Sequence, residues 1–255
     1  MGSISDFLED ELIDHVFDTG AYSPPTIYVA LSTTEPADDG TNVTEPADGY
    51  ARVAHSSWDA AASRLTENTG TVTFPQASGS WGTITHYALY DAPTDGNMLG
   101  AGALSVSKDV VTGNTPTIAD GEIEISFDSG AIATFLANEL LDHVFGNGVY
   151  SAPTITVALS TADPTDDGSG LAEPSNGYAR PAGGSWDAAS GGATENSADI
   201  SFNTPTGSWG EITHSALMVS GESDVLFYGT ATPNQTPNTG DTVKFSSGEL
   251  DVAIS

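Results

Sequence analysis

The chain repeats itself at a fixed offset, and that constrains its fold more than any other feature. His15 and His143, Arg52 and Arg180, and Trp81 and Trp209 are each 128 residues apart. A self-similarity of this length marks two copies of one folding unit. Matched stretches include Leu12–Phe17 with Leu140–Phe145, Val29–Thr33 with Val157–Thr161, and Gly49–Arg52 with Gly177–Arg180. Ser57–Ala61 matches Ser185–Ala189, and the GSWGTITH run from Gly79 matches GSWGEITH from Gly207. Toward the end the offset becomes 127, with Gly121–Glu122 facing Gly248–Glu249, which places the length difference in a loop between strands. The 255 residues therefore divide into two domains of ordinary size, 1–129 and 130–255, with the boundary near Asp128 to Ala131.

Periodicity gives each copy the same order of elements. Phe7, Leu8, Leu12, Ile13, Val16 and Phe17 recur at helical spacing, with Asp6 three residues before Glu9 as a capping-box candidate and Gly20 beyond the end as a stop. The counterpart is Phe135, Leu136, Leu140, Leu141, Val144 and Phe145, ending at Gly146. The pattern then changes to alternation: Ile27, Val29 and Leu31 share one strand face, as do Ile155, Val157 and Leu159. Further strands are expected at Thr71–Phe74, Thr83–Tyr90, Met98–Leu104 and Glu122–Phe127. The second copy places them at Asp199–Phe202, Glu211–Val219, Val225–Ala231 and Leu250–Ile254. Short strands between Gly, Pro, Asn and Asp loops predict a mainly β chain of two tandem β-sandwich, jelly-roll-like domains, each opening with a short amphipathic helix.

Charge excludes one class of partner. With 35 acidic and 5 basic residues the formal net charge is -30, so nothing here can neutralise phosphates and nucleic acid binding is not expected. An acidic excess of this size repels itself, and the repulsion weakens when salt shortens the Debye length to about 3 Å at 1 M. That favours a protein working in high salt, with a solubilising acidic surface as the plainer reading. Cysteine is absent, which removes disulfides, thiolate metal sites and a Cys nucleophile. No apolar run reaches a membrane span, and Asp6, Glu9, Asp10 and Glu11 stand where a signal peptide needs a basic start and an apolar middle. A soluble chain without a secretion signal is expected.

The residues that could carry chemistry each have a structural reading beside the functional one. His86 and His214 share strand parity with Ile84, Ala88 and Tyr90 and with Ile212, Ala216 and Met218, so they read as hydrogen-bonded histidines of the apolar face rather than ligands or bases. His15 and His143 fall in the last helical turn, where the dipole favours a cation and a capping role. Asp38–Asp39 and Asp166–Asp167, each followed by Gly, are calcium candidates through their carboxylates but lack the spacing of an EF-hand loop. Otherwise no cofactor is expected. The chain has no GxSxG elbow, HExxH, P-loop or GxGxxG after a strand. Trp58, Trp81, Trp186 and Trp209 recur in both copies and read as core, the alternative being a solvent-facing platform for sugars. Arg52 and Arg180 recur within GYAR and are expected to pair a carboxylate in a bidentate bond, within the domain or at a subunit contact. The sequons at Asn42 and Asn234 have no partner in the other copy.

Together the LLDHVFGNGVY helix, the APTITVALST strand, the acidic Gly loop, GYAR, SWDAASGGATEN, GSWGEITHSAL and GDTVKFSSGEL resemble a family of small tailed-phage virion structural proteins of tail-fibre-like type. The resemblance covers nearly all of both copies. It implies a non-enzymatic virion component with no catalytic residues. A surface protein of this kind is expected to work by shape, as a symmetric homo-oligomer beside other capsid or tail proteins, as a decoration, turret, fibre or baseplate part. The duplication and the depth of charge lie outside the resemblance and point to a virus of a salt-loving host. The alternatives are a carbohydrate-binding module for attachment to a host surface glycan and, last, a hydrolase of host surface polymers, which requires a cleft with paired carboxylates.

Overall fold

The computed structural model describes residues 2–127 and 132–254; the expected domain boundary near Asp128 to Ala131 lies outside the described residues. The chain is mainly β, with 34% strand and 9% helix. It runs β1 (Gly2–Ile4), α1 (Asp6–Val16), β2 (Tyr28–Ser32), β3 (Val53–Ala54), β4 (Leu65–Glu67), β5 (Val72–Thr73), β6 (Gly82–Tyr90), β7 (Met98–Val110), β8 (Thr117–Ile118) and β9 (Glu124–Ser126). The second copy follows with α2 (Thr134–Phe145), β10 (Ile155–Ser160), β11 (Ala193–Glu195), β12 (Ile200–Ser201), β13 (Ile212–Val219), β14 (Val225–Gln235), β15 (Lys244–Phe245) and β16 (Asp251–Ala253).

Two compact units form, and they do not coincide with the two sequence copies. The first contains residues 2–12, 22–127 and 138–150; the second contains 13–21, 132–137 and 151–254. Each unit thus takes the first part of its own copy's helix and the end of the other copy's helix. Leu8 and Leu12 are fully buried in the first unit, and so are Leu140 and Leu141 from the second helix. Ile13, Val16 and Phe17 are buried in the second unit with Leu136.

In the first unit one curled sheet carries the order β3-β2-β6-β7-β1-β9-β4, with β5 and β8 as a separate ribbon. All its pairings are antiparallel except β1 with β9. The second unit keeps β10-β13-β14, with ribbons β11–β16 and β12–β15. Register is the same in both copies: Ser32 faces His86 across β2 and β6, and Ser160 faces His214 across β10 and β13. The longer alternating strands start where periodicity predicts them, but β7 and β14 run on to Val110 and Gln235, past the expected ends at Leu104 and Ala231. The two- and three-residue strands β1, β3, β4, β8, β11 and β15 are additions, too short for a period to register.

Strand β1 fits because of two glycines opposite it. A Cβ at Gly102 would lie 2.4 Å from the Tyr87 hydroxyl, and one at Gly100 would lie 2.6 Å from the Ser3 carbonyl oxygen. The Tyr87 hydroxyl that claims this space donates to the Glu124 carbonyl at 2.7 Å and fixes the entry to β9.

Both helix ends of the first copy differ from expectation. The N-cap of α1 is Ser5, whose Oγ accepts the Leu8 N–H at 3.4 Å and donates to the Met98 carbonyl; Asp6 already lies inside the helix. A buried serine holding both the helix and a strand outcompetes the solvent-facing aspartate. At the other end the left-handed residue is Asp18, with φ 56°, in the place that Gly146, with φ 81°, holds in the second copy; Gly20 follows it.

Glu9, in α1, is 7% exposed, and its position is taken by Ala137 in the second copy. Burial, then Asp6, Asp38 and Asp10, push its carboxyl up to about 7. The folded state therefore prefers Glu9 protonated. That contribution is complete below the ordinary glutamate range near 4.5 and is lost as pH rises through about 7. Glu9→Gln is expected to stabilise the protein by about 1–2 kcal/mol at pH 8 and to change little at pH 4, read by denaturant unfolding at both pH values.

Candidate functional site

The residues that recur in both copies spend their polar groups on internal bonds. Arg52 forms a fork with Glu45, Nε to Oε1 at 3.0 Å and Nη2 to Oε2 at 2.8 Å. Its Nη1 donates to the carbonyls of Ala92 and Asp95 at 3.0 and 2.7 Å, and its guanidinium lies 3.4 Å from the centre of the Tyr90 ring. Arg180 repeats the fork on Glu173 at 2.8 and 2.9 Å and reaches the Glu222 carbonyl at 3.3 Å. The ring is missing there, because Met218 stands in the place of Tyr90. Burial works against the charge on Glu173, but the bonds from Arg180 and Tyr178 prevail and hold its carboxyl below the usual range. Both arginines thus find their carboxylate within their own unit.

Each fork closes the long acidic loop after β2 or β10. The Tyr50 hydroxyl donates to Glu45 at 2.7 Å and accepts the Leu31 N–H at 2.9 Å; Tyr178 accepts the Leu159 N–H at 2.9 Å. At the loop's other end sit Ser32 and Ser160, fully buried. Ser32 Oγ donates to the Thr34 carbonyl at 2.8 Å and accepts the Thr44 N–H at 3.0 Å. Ser160 Oγ does the same with Ala162 at 2.7 Å and Ala172 at 2.9 Å. The serine of VALST and the Tyr and Arg of GYAR are therefore a loop clamp.

The four tryptophans are buried and fall into two kinds. Trp81 and Trp209 donate their indole N–H to the Asp48 and Asn176 carbonyls, each at 3.1 Å, with Tyr50 and Tyr178 edge-on at 5.3 Å. Trp58 and Trp186 instead pack on a phenylalanine from the helix of the other copy: Trp58 on Phe145 at 4.5 Å in the first unit, and Trp186 on Phe17 at 4.3 Å in the second. Their indole N–H groups are buried without a hydrogen-bond acceptor among the described residues.

The acidic pairs serve turns and helix starts. Asp39 accepts the Thr41 N–H and hydroxyl at 2.9 and 2.6 Å, and these bonds hold its carboxyl below the usual range. Hydrogen bonds from Ser169 and Thr165 hold Asp167 at about 2. The Asp38 carbonyl accepts the Asp6 N–H at 3.1 Å, and the Asp166 carboxylate accepts the Thr134 hydroxyl. Among the described residues no group of three or more His, Cys, Asp or Glu side chains is placed to hold a metal ion.

His86 and His214 are half-buried, each with Nδ1 2.8 Å from the hydroxyl of the preceding threonine. His143 is not the cationic cap expected from its place at the helix end. Its Nδ1 accepts the Tyr150 N–H at 3.2 Å, so the ring proton sits on Nε2, which donates to the Tyr22 carbonyl at 3.3 Å. That ring is a neutral, 5% exposed tie. Sequence reasoning also passed over Asn68 and Asn196, the last residues of the repeated TEN. Asn68 Nδ2 donates to the Gly70 and Ala119 carbonyls at 2.7 and 2.9 Å while Oδ1 accepts the Ile123 N–H at 2.7 Å, and Asn196 matches this with Ala198, Ser246 and Leu250.

No helix among the described residues is long and apolar enough to cross a membrane. None of the curated proteins matches the chain. The family model for podophage GP4 fiber I protein gp80 matches it twice in tandem, over residues 3–126 and again over 131–253. The chain therefore belongs to the podophage GP4 fiber I protein gp80 family, as a tandem duplication of its domain and a structural component of the virion.

Proposed function

We propose that this protein is a fibre component on the tail of a tailed virus, that it works by shape and assembly and not by chemistry, and that its surface is adapted to high salt. The observation that carries the placement is the family match over nearly the whole of both copies, since the family is a fibre protein. A non-enzymatic role is supported by how the recurring residues are used. Arg52 and Arg180 close loops, Trp81 and Trp209 and Asn68 and Asn196 bond to carbonyls within their own unit, and Ser32 and Ser160 pin strand ends. The partners in this reading are further copies of the chain and other virion proteins. The buried tryptophans offer no flat indole face to a host glycan.

The salt reading rests on charge. Of the five basic residues, Arg52, Lys108, Arg180 and Lys244 each pair with a carboxylate of their own unit, against 35 acidic side chains in the chain. The remaining carboxylates repel one another at a range that added salt shortens.

Gold-labelled antibody against the chain, applied to intact purified virions, is expected to mark the tail or its fibres. Label confined to the head contradicts the tail placement. Thermal unfolding is expected to move to higher temperature between dilute buffer and 2 M KCl, and a melting temperature indifferent to salt removes the basis of the high-salt reading.

A further inference from the structure

The ends of the two helices are plugs, and the SWDAA turns are their sockets. In the second unit Phe17 sits 4.3 Å from Trp186 and 5.7 Å from Phe227, while the Asp14 carboxylate accepts the Ala189 N–H at 2.7 Å. In the first unit Phe145 sits 4.5 Å from Trp58, the Asp142 carboxylate accepts the Ala61 N–H at 2.7 Å, and Asn147 Nδ2 donates to the Asp59 carbonyl at 2.7 Å. Every one of these bonds joins a plug from one sequence copy to a socket from the other, inside a single compact unit. The plugs, LIDHVF and LLDHVF, and the sockets, both SWDAA, are nearly the same in sequence.

We infer that the chain is an internally exchanged pair of one repeat: the partner surface that fits each helix end is the Trp–Asp–Ala–Ala turn of another copy, and each unit is completed only by residues of the other repeat. Phe17 and Phe145 close cores to which their own copies' sockets do not belong. The aspartate before each HVF locks the plug, because its carboxylate takes an N–H that the turn otherwise leaves without an acceptor.

Amide hydrogen exchange on the full-length protein tests this. Phe17→Ala is expected to speed exchange of residues 183–189, in the second repeat, by about tenfold or more while leaving 55–61 unchanged, and Phe145→Ala is expected to do the reverse. Should either phenylalanine variant fold poorly, Asp14→Ala and Asp142→Ala give the milder form of the same test, with loss of protection at Ala189 and Ala61 respectively. Faster exchange in the variant's own repeat, or no response in either segment, overturns the inference.

Discussion

The seating of one phenylalanine on one tryptophan, Phe17 on Trp186 and Phe145 on Trp58, is the contact on which the rest of each unit depends. A domain of about 125 residues with a lean apolar content has a small core, and burying one large aromatic contributes on the order of 1.5–3 kcal/mol to it. Here that aromatic arrives from the end of the opening helix of the chain's other repeat. The aspartate three residues before it caps the SWDAA turn, so the apolar plug and its polar lock are one turn of helix. Around this contact the alternating strands supply the sheets, and Gly100 and Gly102 let β1 lie against β7.

On that frame each unit carries a long acidic loop held at both ends. A buried serine donates to the Thr34 or Ala162 carbonyl and accepts the Thr44 or Ala172 N–H, and an Arg–Glu fork with a tyrosine beneath closes the loop's return. A bidentate fork specifies geometry as well as energy, which is how a polar, glycine-rich segment keeps one shape on a surface this acidic. Rigid loops on a rigid scaffold suit a protein whose task is to be built into a particle and to keep its form there.

Much of this was legible in the sequence because the repeat doubles every signal. Both helices, the long strands, the burial of the tryptophans and the bidentate arginines follow from period and residue chemistry. The identity of the arginine's partner was not legible: Glu45 and Glu173 each stand seven residues before their arginine, across an irregular loop with no period to bring them together. What failed was local competition: Ser5 took the cap from Asp6 because its hydroxyl also binds a strand, and Asp18 took the left-handed position that Gly20 was expected to fill. His143 was lost to a tautomer set by two backbone groups outside its helix, the Tyr150 N–H and the Tyr22 carbonyl, the latter far away in sequence. The exchange itself has no signature in one sequence. When both copies carry the same plug and the same socket, composition and spacing are identical whether each plug enters its own socket or the other's.

The most direct test of that exchange is to place a protease site between Phe127 and Ile132, cut the folded protein, and measure its mass in solution at low concentration. Cut chains that remain together at the mass the uncut protein shows under the same conditions and unfold in one transition are the result expected of repeats completed by each other's helix ends. Two separate, folded halves of about half that mass would contradict it, because each repeat would then hold its own core without the other.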